Sequence, residues 1–339
     1  MPLFARTSRF MRVAVSSNCG PCTLEYAHGN EIPDTCRKGG VSSVSLTTAI
    51  DGSSMGRYTS QVLHSSHEMR QLVAQAHRVG QSVGLVPTMG ALHRGHLSLV
   101  DASIGECDRT IVTIFVNPTQ FLPGEDYDRY PRSVPADLEL LSEYPVDWVF
   151  APSVEEMYPR RFSTYVHPPA VSEPWEGVQR PGHFRGVTTV VLKLFHIIPA
   201  DVAYFGHKDY QQSQVIRRMV EDLSLPITIR VCPTVRDPDG MALSSRNQYL
   251  QPHERNIGLS ISQGLNLATD LVAQGERRAS VVLERVRRVL EEAGVTSIDY
   301  VALVHPDTME SVSTINNPTL AIVAVWVGAT RLIDNRLIG

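Results

Sequence analysis

Val83-Gly84-Leu85-Val86-Pro87-Thr88-Met89-Gly90-Ala91-Leu92-His93-Arg94-Gly95-His96 decides how the chain is read. Its first four residues form a short apolar run of the kind that makes a buried strand. Beyond it, Leu97, Leu99 and Val100 begin an apolar pattern at helical spacing. A strand therefore enters a glycine-bearing turn and leaves as a helix. Such a junction presents backbone N–H groups and the positive end of the helix dipole to an anion. His93 and His96 are three apart, which puts them on one face of a helix start. Gly95 between them leaves room for an imidazole to lie against backbone. The stretch reads as a phosphate-handling turn carrying two hydrogen-bonding or proton-carrying side chains. In isolation the same letters also suit two surface histidines after a tight turn.

Working outward, strand and helix patterns alternate. Before the turn, Ser65 and Glu68 resemble a capping box, and Met69, Leu72, Val73 and Ala76 mark one helix face that Gly80 closes. After it come apolar, β-branched runs at 111–116, 147–150, 201–205 and 227–231, separated by helical patterns near 133–143, 187–198 and 210–222. The 187–198 segment is apolar nearly all round, so it is a buried helix from which Lys193 snorkels. This alternation predicts an α/β fold: a Rossmann-like, doubly wound parallel sheet. Two helices near 252–274 and 280–293, then strands near 298–303, 320–327 and 330–334, predict a smaller C-terminal α+β domain. The expected division is an N-terminal extension over 1–60, a Rossmann-like domain over 61–235, and a smaller α+β domain over 236–339.

Ligands of open α/β sheets bind beyond the carboxyl ends of the strands. Asn117 and Gln120 follow one such end. Gly206-His207-Lys208-Asp209-Tyr210-Gln211-Gln212 follows another, and a lysine there can neutralise a transferring phosphate. Asp209 suits Mg²⁺, a ribose, or simply a first helical turn. Leu243-Ser244-Ser245-Arg246 brings two hydroxyls and a guanidinium into one loop, a mobile phosphate clamp in the making. Residues 151–185 form a long irregular segment ending in Arg180-Pro181-Gly182-His183-Phe184-Arg185-Gly186, the kind of loop that often serves binding.

Composition narrows the classes. The 339 residues are 42% hydrophobic and 19% charged with a formal charge of −4, a globular balance without general attraction to nucleic acid or anionic membrane. The longest apolar run, near 320–327, is too short to span a bilayer. Five cysteines in a long chain argue against a secreted disulfide scaffold and for a reducing, cytoplasmic setting. The 1–60 stretch, basic at its start and rich in Ser, Thr and Gly, reads as a disordered tail or a start codon set too far upstream, with a transit peptide as the rival. Cys19-Gly20-Pro21-Cys22 spells a redox motif but lacks a helix pattern behind it. With His28 and Cys36 it makes a weak zinc set.

His-x-Gly-His resembles the H-I-G-H signature of nucleotidyltransferases. The wider pattern resembles the pantothenate synthetase (pantoate–β-alanine ligase) family over about 65–339. The motifs are Val-Pro-Thr-Met-Gly-Ala-Leu-His-x-Gly-His at 86–96, Phe-Val-Asn-Pro-Thr-Gln-Phe at 115–121, Arg-Pro-Gly-His-Phe-Arg-Gly-Val at 180–187, Phe-Gly-x-Lys-Asp-Tyr-Gln-Gln at 205–212, Asp-Gly-x-Ala-Leu-Ser-Ser-Arg-Asn at 239–247 and Arg-Leu-Ile-Asp-Asn at 331–335. The resemblance implies that pantoate attacks ATP to give pantoyl adenylate and pyrophosphate, after which β-alanine displaces AMP. It implies an ATP site from Met89, Gly90, Ala91, Leu92, His93, Arg94, Gly95, His96, Gly206, His207, Lys208, Asp209, Val235, Leu243, Ser244, Ser245 and Arg246. It gives pantoate to Gln120 and Gln212, β-alanine to Gln120, and catalysis to His96, His93, Lys208 and Arg246, with His96 as the usual proton donor. Mg²⁺ and a homodimer are further implications; nucleic acid and membrane are not partners. His207 departs from the acid the family usually carries there. Another nucleotidyltransferase is the nearest alternative; a redox or zinc-binding protein built on 19–36 is the distant one.

Overall fold

The computed structural model describes residues 11–17, 20–26, 57–316 and 318–339. They belong to two compact units, Met1–Met55 and Gly56–Gly339. In the first, β1 (Met11–Ser17) pairs antiparallel with β2 (Gly20–Tyr26), Met11 opposite Tyr26 and Ser17 opposite Gly20. The stretch after Cys22 is therefore strand, and the redox motif lacks the helix it needs. His28, Cys36 and most of the 1–60 extension lie outside the described residues. Among the described residues no group of three or more His, Cys, Asp or Glu is placed to hold a metal ion.

The second unit is built on six parallel strands: β3 (Gln61–Leu63), β4 (Val83–Thr88), β5 (Arg109–Ile114), β6 (Trp148–Phe150), β7 (Val202–Gly206) and β8 (Thr228–Cys232), in the order β3-β6-β5-β4-β7-β8. Side chains alternate across this sheet. Leu85, Ile111 and Phe150 face a core shared with α1 (Ser66–Arg78), α6 (His183–Ile197) and α7 (Tyr210–Asp222). Val86, Val112 and Val149 face the opposite core, shared with α2 (Arg94–Glu106) and α3 (Val134–Leu141). The doubly wound parallel sheet expected from the alternation is thus present. The chain reverses its winding between β4 and β7, so the crevice at their carboxyl ends is the ligand-binding position of such sheets.

The three-residue β3 has no counterpart in the sequence reading; two of its residues are not buried, so no apolar run marks it. The irregular 151–185 segment contains two single-turn helices, α4 (Val154–Met157) and α5 (Glu176–Gln179). Lys193, half-buried, places its Nζ 5.2 Å from the Phe162 ring centre and 5.9 Å from that of Tyr158.

Beyond β8, α8 (Pro252–Ala273) and α9 (Ala279–Glu292) cover an antiparallel sheet, β9 (Ser297–Val304), β10 (Thr319–Val327) and β11 (Thr330–Ile338), ordered β11-β10-β9. Val301, Leu303, Ala321, Val323 and Val325 face the helices. Tyr300, Ala302, Val304, Leu320 and Ile322 face the other way, onto Val171, Trp175 and Tyr210. A period of two with both sides apolar explains why this small sheet is sandwiched rather than exposed on one face. β11 runs four residues past the expected end because its polar residues, Asp334 and Asn335, are buried with partners.

Candidate active site

The crevice between β4 and β7 holds a cavity of ≈ 240 Å³ lined by His93, Gly95, His96, Gln120, Lys208, Gln212, Val235 and Leu243, among others. It meets a second cavity of ≈ 470 Å³, bordered by the small sheet, at Lys208, Asp209, Gln212, Ser244 and Arg246.

Each histidine owes its position to a local reason. His93 is the N-cap of α2, and its Nδ1 accepts the Gly95 N–H at 3.1 Å. His96 sits at N3, and its Nδ1 accepts the His93 N–H at 3.3 Å. This is a capping box made from imidazoles, which accounts for the spacing of the motif. The rings lie 4.1 Å apart, tilted by 33°. A Cβ on Gly95 would lie 2.8 Å from the His93 ring, so the expected space for a flat ring is used. Because both Nδ1 atoms accept, both rings carry their proton on Nε2 and donate from there. Burial, then the Lys208 charge, pushes His93 down to about 4; burial, then His93 and Lys208, pushes His96 down to about 3. Both are neutral donors at physiological pH.

Several of the backbone N–H groups expected to face an anion at this turn are engaged within the protein. Gly90 N–H goes to Thr88 Oγ1 at 3.1 Å, and Ala91 and Leu92 N–H go to the Asp137 carboxylate at 3.1 and 2.7 Å. Asp137 lies 45 residues beyond Leu92, buried at the start of α3, where the sequence marks it only as a polar residue of that helix. The amides of Gly90, Ala91, Leu92, His93 and Gly95 are thus already bonded within the protein. Among the described residues, Gly90, Ala91, Leu92, Arg94 and His207 do not line the cavity. Arg94 points outward, 65% exposed and 3.6 Å from Asp237. His207 stands edge-on to Tyr210 at 4.8 Å between ring centres, so its departure from the family's usual acid changes no cavity wall.

Lys208 lies in the wall, its Nζ 3.6 Å from Asp209. Arg246 reaches the cleft but is not a free clamp: its guanidinium makes two 2.8 Å bonds to Asp126. That contact holds the Asp126 carboxyl below its ordinary value against the opposing effect of burial. The Ser244–Arg246 loop is seated on the histidine turn, with Ser245 donating to Ala91 O at 3.2 Å and Leu243 lying 3.6 Å from a Cβ built on Gly95.

Gln120 is held from four sides. Its Oε1 accepts from buried Asn117 at 3.0 Å, which turns the Nε2 donor toward Met89 Sδ at 3.0 Å. Tyr158 donates to Asn117 Oδ1 at 2.7 Å. His183 and Arg180 donate to the Gln120 carbonyl at 2.8 and 3.3 Å, and Glu125 grips Arg180 with two 2.7 Å bonds. Tyr158, Asp126 and Asp137 escape a reading of the sequence, since isolated polar residues in loops and helix starts carry no spacing signal. Burial, then Arg180, pushes His183 down to about 4.

Three imidazoles kept neutral have a consequence for stability. The unfolded chain protonates them near the ordinary 6.5, while the folded chain does not until about 4 or below. The unfolded state therefore binds more protons in that window, and stability falls as pH falls through it. The urea midpoint is expected to drop between about pH 6.5 and 5, above the carboxylate range, and to drop less in His183→Gln. A midpoint flat over that interval would exclude buried neutral rings.

The comparisons agree with this geometry. Residues 61–337 match the model of the Pantoate-beta-alanine ligase family. The pantothenate synthetase of Moorella thermoacetica is 52% identical over 275 residues, 81% of this chain and 97% of that protein. That of Thermotoga petrophila is 48% identical over 82% of this chain and its own full length. Among solved structures, a pantothenate synthetase from Thermus thermophilus superposes with a TM-score of 0.78 at 43% identity, covering 81% of this chain and 98% of that one. A pantoate-beta-alanine ligase from Francisella tularensis, solved in complex with Beta-gamma ATP and Beta-alanine, gives a TM-score of 0.68 at 33% identity, covering 82% and 98%. Motifs, fold and relatives converge, and the chain belongs to the pantoate-beta-alanine ligase family.

Proposed function

We propose that the chain is an AMP-forming ligase that joins pantoate to β-alanine through pantoyl adenylate. The observation that carries this reading is one cavity lined both by His93, His96 and Lys208 and by Gln120 and Gln212. The first set suits a triphosphate. The amides suit a hydroxy acid, because they add no charge to repel its carboxylate.

In the first step a pantoate carboxylate oxygen bonds to the α-phosphorus of ATP and the bond to the pyrophosphate oxygen breaks. No proton moves, which fits a pair of neutral imidazoles. His93 and His96 donate hydrogen bonds to phosphate oxygens as charge shifts toward pyrophosphate, and Lys208 neutralises that charge. His96 is a hydrogen-bond donor in this reading, not an acid. Gln120 holds pantoate by its Nε2, with Gln212 beside it. In the second step the neutral β-alanine amine bonds to the acyl carbon, AMP leaves with the C–O electron pair, and water takes the proton that the amine loses. Arg246 joins the phosphate site when it exchanges Asp126 for the nucleotide.

Residues 61–235 form the nucleotide- and pantoate-binding body in this reading, and 236–339 its cover. Met89, Gly206, Asp209, Val235, Leu243, Ser244 and Ser245 complete the ATP wall. Mg²⁺ bound by triphosphate needs few protein ligands. Asp209, a carboxylate lining the cleft beside Lys208, fits that role, and the ion would offset phosphate charge. The family resemblance supports a homodimer. The free Cys107 and Cys232 support a reducing, cytoplasmic place.

The test is exchange of labelled pyrophosphate into ATP. It is expected only with pantoate and Mg²⁺ both present, to vanish on chelation, to return with added Mg²⁺, and to give AMP once β-alanine is supplied. ADP as product, or exchange without pantoate, would overturn the reading.

A further inference from the structure

Arg331-Leu332-Ile333-Asp334-Asn335 has no part in the ligation described above, yet β11 sets it against the lysine turn. Asp334 and Asn335 are both buried. Arg236 donates two bonds to Asp334, at 2.6 and 2.9 Å, and the Asn335 N–H donates to the same carboxylate at 2.8 Å. At the other end Arg331 is fixed by Glu176 and Asp299 at 2.6 to 3.0 Å. The strand segment between these two anchors is therefore rigidly placed.

From that frame the Asn335 side-chain nitrogen donates to two carbonyls, His207 O at 3.0 Å and Lys208 O at 2.8 Å. Both belong to the short 3-10 turn His207–Asp209, which has no side-chain cap of its own. Asn335 Oδ1 is buried without a partner. A buried, unpaired amide oxygen is destabilising in itself. An aspartate there would set a carboxylate against two carbonyl oxygens, and an apolar residue would leave both carbonyls unpaired. The donor half of this side chain is what ties the lysine turn to the strand, while its oxygen faces the His207 ring.

We propose that Asn335 is a positioning residue for Lys208. By tying the two carbonyls of its turn to the anchored strand, it fixes where the lysine enters the cavity beside His93 and His96. This rests on the reading of Lys208 as a partner of the ATP phosphates.

A double-mutant cycle tests it, read both as ATP affinity by calorimetry and as pantoate-dependent exchange. Asn335→Ala is expected to lower exchange turnover about 10- to 100-fold, the scale of a reacting group displaced by ~1 Å. It should weaken ATP binding in parallel and leave the KM for β-alanine unchanged. In a Lys208→Ala background the same substitution should change either readout by less than about twofold, because two residues acting through one contact are not additive. A full Asn335→Ala loss persisting without the lysine would overturn the proposal, as would wild-type affinity and turnover in Asn335→Ala. If Asn335→Ala does not fold, Asn335→Ser, which keeps a small uncharged donor but is too short to hold both carbonyls, carries the same cycle. A wild-type chain that binds ATP without pantoate-dependent exchange would defeat the ligase reading, and the cycle on ATP affinity would still decide this one.

Discussion

His96→Ala is expected to lower adenylation turnover by roughly 10²–10³, the scale of one preorganised donor to developing charge. The substitution removes two things together: the Nε2–H donor, and the Nδ1 that accepts the His93 N–H. The second loss is a helix-cap loss of about 1 kcal/mol, and it loosens His93 as well. His96→Gln separates the two, because glutamine is the ordinary N3 partner in a capping box. Its stability should return to that of the parent, while its turnover stays at least about tenfold down. Complete recovery in His96→Gln would reduce His96 to a cap, and parent-like turnover in His96→Ala would remove it from the mechanism. Urea denaturation and single-turnover adenylation, run on the same two variants, give both readouts.

The experiment matters because the histidine motif is legible as letters but not as a device. The strand–turn–helix junction follows from the apolar run at 83–86 and the helical pattern after it. So does the parallel sheet, since continuous β-branched runs such as Ile111–Ile114 are what burial on two faces demands. The face-sharing histidines and the slot over Gly95 are legible too. What supplies the anion donors is not. The junction suggests backbone amides, but Asp137 and the imidazoles take those of Ala91, Leu92, His93 and Gly95 for themselves. Asp137 reaches the turn only because β5 and α3 fold back over α2, a relation 45 residues long in sequence. Arg246 tells the same story from the other side: its partner Asp126 is 120 residues away. Local spacing exposes groups that share a helix face. It is silent about which distant carboxylate the fold delivers to them.

Gly186→Ala is the second large effect, and it concerns a residue that touches no substrate in the reading above. Gly186 sits in the first turn of α6, where the helix crosses the loop that carries Gln120. A Cβ there would lie 2.3 Å from Thr119 O and 2.7 Å from Gln120 Cα. Both are backbone atoms, so no side chain can swing aside; either α6 or the loop must move. Gly186 O also accepts from Asn117 Nδ2 at 3.3 Å, in the network that orients Gln120. Overpacking of this kind costs about 1–3 kcal/mol of stability. A displacement of ~1 Å in a substrate-positioning group costs on the order of 10²-fold in rate. The variant is therefore expected to fold with a lowered midpoint, to lose about two orders of magnitude in kcat/KM for pantoate, and to bind ATP nearly as the parent does, since His93, His96 and Lys208 stand on other elements. That selectivity distinguishes displacement of the Gln120 loop from general damage. An equal loss in ATP affinity would mean that α6 had shifted as a whole, and an unchanged kcat/KM for pantoate would mean that Gln120 does not hold it.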